Sequence, residues 1–169
     1  VMVYLGLEML ALCSYALVAI DRDSTLASEA AMKYFVLGSL SSGLLLYGLS
    51  LLFGATGTLD LAQLHAAIAT SSETTLLLTG TVFAVAGIAF KFGAAPFHMW
   101  VPDTYQGAPT PITLFIGSAP ELASFALAFR LLEGAVGPLD ERWRLLIAGL
   151  AVASLVVGNL IALMQTNFK

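Results

Sequence analysis

The chain has 169 residues, 59% of them apolar or aromatic and 11% charged, with a formal net charge of −4. A soluble domain carries roughly a quarter of its residues as charges, and the mean hydropathy here is +0.90. These values exclude a disordered chain, a nucleic-acid binder and almost any soluble globular domain, while the single cysteine, Cys13, excludes a disulfide framework or a multi-cysteine metal site.

The charges are clustered, and the gaps between clusters are long and apolar. That pattern predicts an all-α membrane protein, a polytopic transmembrane helix bundle. The chain opens at Val1 inside one apolar run and stops at Asn167-Phe168-Lys169 after another, so it reads as an internal stretch of a longer membrane protein.

Five runs approach or exceed the 20 or so residues that a span needs. The first, 1–20, is interrupted only by Glu8 and closes at Asp21-Arg22-Asp23-Ser24. The second, 34–53, has no charge, with Lys33 at its mouth placed to snorkel. Leu61, Leu64 and Ile68 then recur at helical spacing and predict a short interfacial helix over 59–68. His65 lies on its polar side as a solvated residue, because a metal site needs several ligands. The third run, 74–100, is interrupted only by Lys91. The fourth, 112–132, contains Glu121 and Arg130, and Thr110-Pro111 suits its start as an N-cap followed by proline. The fifth, 145–168, is free of charge, with Asp140 and Glu141 suited to its N-terminal side.

Small residues give packing signals. Gly43 and Gly48 line the second run, and Ser154, Gly158 and Ala162 repeat every four residues in the fifth; such spacing lets helix backbones approach closely. Positive charge does not fix the orientation. Arg22, Lys33 and Lys169 fall on one side, and Arg130, Arg142 and Arg144 on the other.

Glu8, Lys91 and Glu121 stand where hydrocarbon should be. Each costs on the order of 2.5–3.5 kcal/mol to insert, whereas one leucine returns about 0.3–0.6 kcal/mol. At a rise of about 1.5 Å per residue, the three lie about 18, 13 and 15 Å from the same membrane side. In a hydrocarbon layer about 30 Å thick, all three are near the midplane, and two acids and a base on three helices can form a row. Three readings follow: a proton or cation relay, a structural salt bridge, or a substrate site at mid-depth.

Two prolines sit beside these charges. Pro96 removes the helical partner of the Phe92 carbonyl, and Pro120, next to Glu121, does the same for Ile116. Broken helices at mid-depth are tolerated where backbone lines a polar cavity or is buried in protein, and they recur at ion sites of transporters. His98 is seven residues beyond Lys91, on the same face if the helix were unbroken, with an unperturbed pKa of about 6.5 that suits a proton carrier. A hydrogen-bonded structural histidine is the alternative.

The stretch from Phe90 through Pro96-Phe97-His98-Met99-Trp100-Val101-Pro102-Asp103 to Pro111 strongly resembles the antiporter-like membrane subunits of NADH-quinone oxidoreductase, respiratory complex I. The continuation Tyr105-Gln106-Gly107-Ala108-Pro109 looks like the N-type branch of these subunits. So do Tyr4-Leu5-Gly6-Leu7-Glu8-Met9-Leu10 and Ala31-Met32-Lys33-Tyr34-Phe35. The resemblance covers essentially the whole chain. It implies an inverted-repeat antiporter fold with a broken helix, of which 1–169 is one piece of the proton-translocating domain. It implies a proton relay through Glu8 and its partner Lys91, with His98 and Glu121 as further members. It places the loop from Arg22 to Lys33 on the cytoplasmic side of a bacterial inner (plasma) membrane.

The resemblance also implies no cofactor in this chain. FMN, iron–sulfur clusters and quinone are expected in or at partner subunits. The partners are the other complex I membrane subunits, the lipid bilayer and protons, with no nucleic acid. One departure stands out: the family has a lysine where Ala119-Pro120 is followed here by Glu121. The position stays ionisable with reversed charge, either relaying through a protonated carboxyl or facing a basic partner elsewhere. Two other functions use the same residues: an Mrp-type cation/proton antiporter or membrane-bound hydrogenase subunit, and a non-conducting structural subunit.

Overall fold

The computed structural model describes residues 1–165. Among these the regular structure is helical throughout. It comprises α1 (Met2–Val18), α2 (Thr25–Thr56), α3 (Leu61–Thr70), α4 (Thr74–Lys91), α5 (Val101–Gly107), α6 (Thr110–Ile116), α7 (Ala119–Leu132) and α8 (Asp140–Met164), with a 3-10 turn over Gly137–Leu139. Four stretches, Thr25–Thr56, Thr74–Lys91, Thr110–Leu132 and Gly137–Met164, are long and apolar enough to cross a membrane, and α1 is a shorter apolar helix. The chain is an all-α, multi-pass membrane bundle.

Helix α2 starts nine residues before the apolar run it contains, because Ser24 caps it: its Oγ accepts from the Ala27 N–H at 3.2 Å. At 32 residues it measures about 48 Å, so its first turns carry Glu29 and Lys33 beyond the apolar stretch. The expected interfacial helix is α3. It is capped by Asp60, whose Oδ1 accepts from Ala62 N–H and Gln63 N–H at 3.1 Å each, and it buries Leu64 and Ile68.

The closest helix packing is between α2 and α4. A Cβ built on Gly48 would stand 2.6 Å from the Ala84 nitrogen and 2.7 Å from the Gly80 carbonyl oxygen, so only glycine permits this approach. Ser41 Oγ adds a hydrogen bond to the Gly87 carbonyl at 3.1 Å. Gly43, the other glycine noted as a packing signal in this run, faces open space.

The two proline-containing runs are divided. Helix α4 ends at Lys91, well short of Trp100, and 92–100 is a non-helical connection. Gly93 takes a left-handed conformation, φ +59°, and Pro96 brings no N–H to continue the ladder. The 112–132 run is split at Gly117 and Ser118 into α6 and α7, with Pro120 in the first turn of α7. Thr110 does not cap α6: the N-cap position is Pro109, and Thr110 is already helical. Helix α8 begins at Asp140, before its apolar run, with Asp140 and Glu141 in the first turn. Residues 166–168 of the expected fifth span lie outside the described residues.

Two apolar cores result. One joins α2, α3, α4 and α7 through Leu45, Leu52, Leu64, Leu77 and Leu131. The other gathers Tyr15, Val18, Tyr34, Phe90, Trp100 and Ile116 around the end of α4.

Candidate functional site

Lys91 is the last residue of α4, and its Nζ lies 3.1 Å from Glu8 Oε1 on α1. The two side chains are 10% and 21% exposed. Besides the Glu8 carboxylate, the C-terminal end of the α4 dipole lies at Lys91. Trp100 closes the helix end behind the pair. Its Nε1–H donates to the Phe90 carbonyl at 2.9 Å, and its ring stacks on Tyr34 at 4.6 Å. A cavity of about 30 Å³ lies against Lys91, bounded by Tyr15, Tyr34, Trp100, Pro120 and Ser124 among others. That is room for one water.

Glu121 does not join the pair. It is the third residue of α7 and makes no ion pair among the described residues. Its crevice is shared with Phe92, Gly117, Ser118, Leu122 and Phe125. The expected row of three charges is therefore one ion pair and a separate carboxylate. The break at Gly117 and Ser118 re-aims the chain just before Glu121.

His98 also departs from expectation. With α4 ended at Lys91 there is no continuous face to carry it, and it lines a cavity shared with Gly93, Val101 and, from α8, Ser154 and Gly158. Its Nδ1 is buried without a hydrogen-bond partner among the described residues. His65 is exposed on α3 and lies against Gly137. No group of three or more His, Cys, Asp or Glu side chains is arranged for a metal among the described residues.

Sequence reasoning missed three contacts around the break. The Ala95 N–H donates to Ser154 Oγ on α8 at 2.9 Å. Lys33 Nζ stands 3.0 Å from Asp103 Oδ2 and 2.8 Å from Glu29 Oε1, tying α2 to α5. The Tyr105 hydroxyl on α5 stands over Gly117 at the break between α6 and α7, 2.9 Å from where a Cβ would be. Ser154 was visible only as a small residue in a packing triplet, and Asp103 and Tyr105 only as letters of a motif.

A family model described as "NADH:quinone oxidoreductase/Mrp antiporter, TM" matches residues 1–169. The chain is 71% identical over 168 residues to NADH-quinone oxidoreductase subunit N of Xanthomonas euvesicatoria pv. vesicatoria, covering 99% of this chain and 34% of that protein. It is 59% identical to subunit N of Halorhodospira halophila, covering 98% of this chain and 34% of that protein. It thus spans about a third of the length of these relatives. A chain of respiratory complex I from Thermus thermophilus with bound aureothin superposes with a TM-score of 0.78 at 38% identity, over 96% of this chain and 34% of that one. A chain of the membrane-bound sulfane sulfur reductase, an archaeal respiratory membrane complex, gives 0.66 at 34% identity, over 76% and 26%. With the broken helix, the Glu8–Lys91 pair and a family match over its full length, the chain belongs to the NADH:quinone oxidoreductase/Mrp antiporter transmembrane family.

Proposed function

We propose that this chain is part of an N-type, proton-translocating membrane subunit of NADH-quinone oxidoreductase in a bacterial inner membrane. Redox chemistry belongs to partner subunits, and this chain turns their signal into proton movement. Residues 1–169 make up one portion of the antiporter-like domain. Its partners are the neighbouring membrane subunits and lipid, which meet apolar faces such as Leu155, Leu160 and Leu163 of α8, all exposed here.

The observation that carries this reading is the 3.1 Å contact between Lys91 and Glu8 at the end of a broken helix. With Glu8 close, the protonated lysine is favoured. If Glu8 moves away or is neutralised, desolvation favours the neutral amine, and one proton leaves Nζ. Returning Glu8 restores the ammonium by drawing one proton back. The turn at 92–100 is where a small backbone change can alter the separation. His98, beyond the break, and Glu121, on α7, are further stations of the same relay.

The test uses the full-length subunit in assembled complex. Removing one partner of a buried pair costs about 3–5 kcal/mol. Glu8→Gln and Lys91→Ala are each expected to impair proton pumping in inverted membrane vesicles, while NADH oxidation with an uncoupler and subunit content report assembly. Unimpaired pumping by both variants would reject the reading.

A further inference from the structure

Helix α4 stops by its own local geometry. Gly93 turns left-handed, its N–H donates to the Phe90 carbonyl at 2.9 Å, and the Ala94 N–H donates to the Ala89 carbonyl at 2.9 Å. These two bonds are a complete Schellman stop. Yet the Phe90 carbonyl takes a second donor, the indole N–H of Trp100, also at 2.9 Å. Ending the helix does not require that bond.

Its use lies in what it grips. The Phe90 carbonyl belongs to the same planar peptide unit as the Lys91 nitrogen, so the indole fixes the plane from which the Lys91 side chain departs. The indole is held in turn. Trp100 is 4% exposed. Its ring stacks on Tyr34 of α2 at 4.6 Å, and Tyr34 meets Tyr15 of α1 edge-on at 4.7 Å. Tyr15 stands about two turns beyond Glu8 on the same helix. Trp100, Tyr34, Tyr15 and Lys91 line one cavity. A line of aromatic contacts therefore runs from the Lys91 peptide, through α2, to the helix that carries Glu8.

We infer that Trp100 is the positioning residue of the Lys91–Glu8 pair: its indole N–H, gripping the Phe90–Lys91 peptide from beyond the break, sets the separation of the two charges. This rests on the reading of that pair as the relay. It deepens that reading by naming the side chain through which a movement of 92–100 reaches Lys91.

The experiment uses the full-length subunit in assembled complex. Replacing Trp100 by 3-benzothienylalanine puts sulfur where the indole N–H stood and keeps the ring shape, so one hydrogen bond is lost with the packing retained. Pumping in inverted vesicles is expected to slow about tenfold at unchanged subunit content. Trp100→Phe, which also lacks the donor, should slow it at least as much. Redox-induced infrared difference spectra give a readout that a purely structural indole would not move. The carboxylate band of Glu8, identified by its loss in Glu8→Gln, should shift in the benzothienyl variant. If that variant pumps like the parent, or if it leaves the Glu8 band in place, the inference is overturned, while impaired pumping by Lys91→Ala keeps the relay reading standing. If Lys91→Ala pumps normally in the same vesicles, the relay reading fails and takes this inference with it.

Discussion

Ala95 and Ser154 are joined across the helix break, the amide of one donating to the hydroxyl of the other at 2.9 Å. Chain leaving a helix has N–H groups that no longer find an intrahelical acceptor. Ser154 supplies that acceptor from α8, and its own hydroxyl donates to the Leu150 carbonyl at 2.7 Å. The small residue that looks like plain helix packing is therefore a cap on irregular backbone.

Replacing Ser154 by alanine should orphan the Ala95 amide at a cost of about 1–3 kcal/mol. Amide hydrogen exchange of a peptide covering 93–98 should speed up in Ser154→Ala and stay slow in Ser154→Thr, which keeps the hydroxyl. Unchanged exchange in Ser154→Ala would show that the contact is incidental.

The α2–α4 seam makes a contrasting pair of predictions. Gly48→Ala pushes a methyl into the Ala84 and Gly80 backbone, and overpacking of this kind costs about 1–3 kcal/mol. Gly43→Ala meets nothing within 4 Å and removes a helix-weakening glycine. Thermal inactivation of the assembled complex should drop for the first and hold or rise for the second. Equal behaviour would mean the seam is not so tightly set.

The Lys33–Asp103 pair is half-exposed, 44% and 46%, so its worth to stability is about 0–1 kcal/mol. Asp103→Asn should therefore change thermal stability little, and the exchange Lys33→Asp with Asp103→Lys should match the parent. A large loss on Asp103→Asn, unrepaired by the exchange, would assign Asp103 a role other than this ion pair.

Topology follows from packing. Gly107 lies against Leu26 and Ala30 at the start of α2, and Gly137 lies against His65 of α3. Cysteines placed at Ser24 and at the exposed Gln106, in a background with Cys13 replaced, should label from one membrane side, and those at Thr58 and Gly137 from the other. Labelling of Gln106 and Gly137 from the same side would contradict the arrangement.

Much of this was legible locally. An apolar run announces a span whatever its neighbours are, and a proline inside one announces a break, because the missing N–H is a property of the residue itself. The Glu8–Lys91 approach followed from depth and opposite charge. What stayed hidden is what lies beyond each break. Gly93 turns left-handed after Lys91, and from there no helical period says where His98 points. Likewise the split at Gly117 separates Glu121 from the other two charges. Ser154 meets the Ala95 amide and the Tyr105 hydroxyl stands over Gly117, and no spacing rule in one sequence encodes such a meeting. The early start of α2 and α8 had a simpler cause: the Ser24 cap of α2, and Asp140 and Glu141 in the first turn of α8, carry each helix past the apolar stretch that reveals it.

The most direct measurement is proton pumping by Lys91→Arg in inverted vesicles at unchanged subunit content. Arginine keeps the charge and the reach toward Glu8, but its guanidinium does not deprotonate at physiological pH. If Lys91 cycles a proton, pumping should fall close to that of Lys91→Ala while the complex stays assembled. Normal pumping by Lys91→Arg would contradict the relay and leave the Glu8–Lys91 contact as a structural salt bridge.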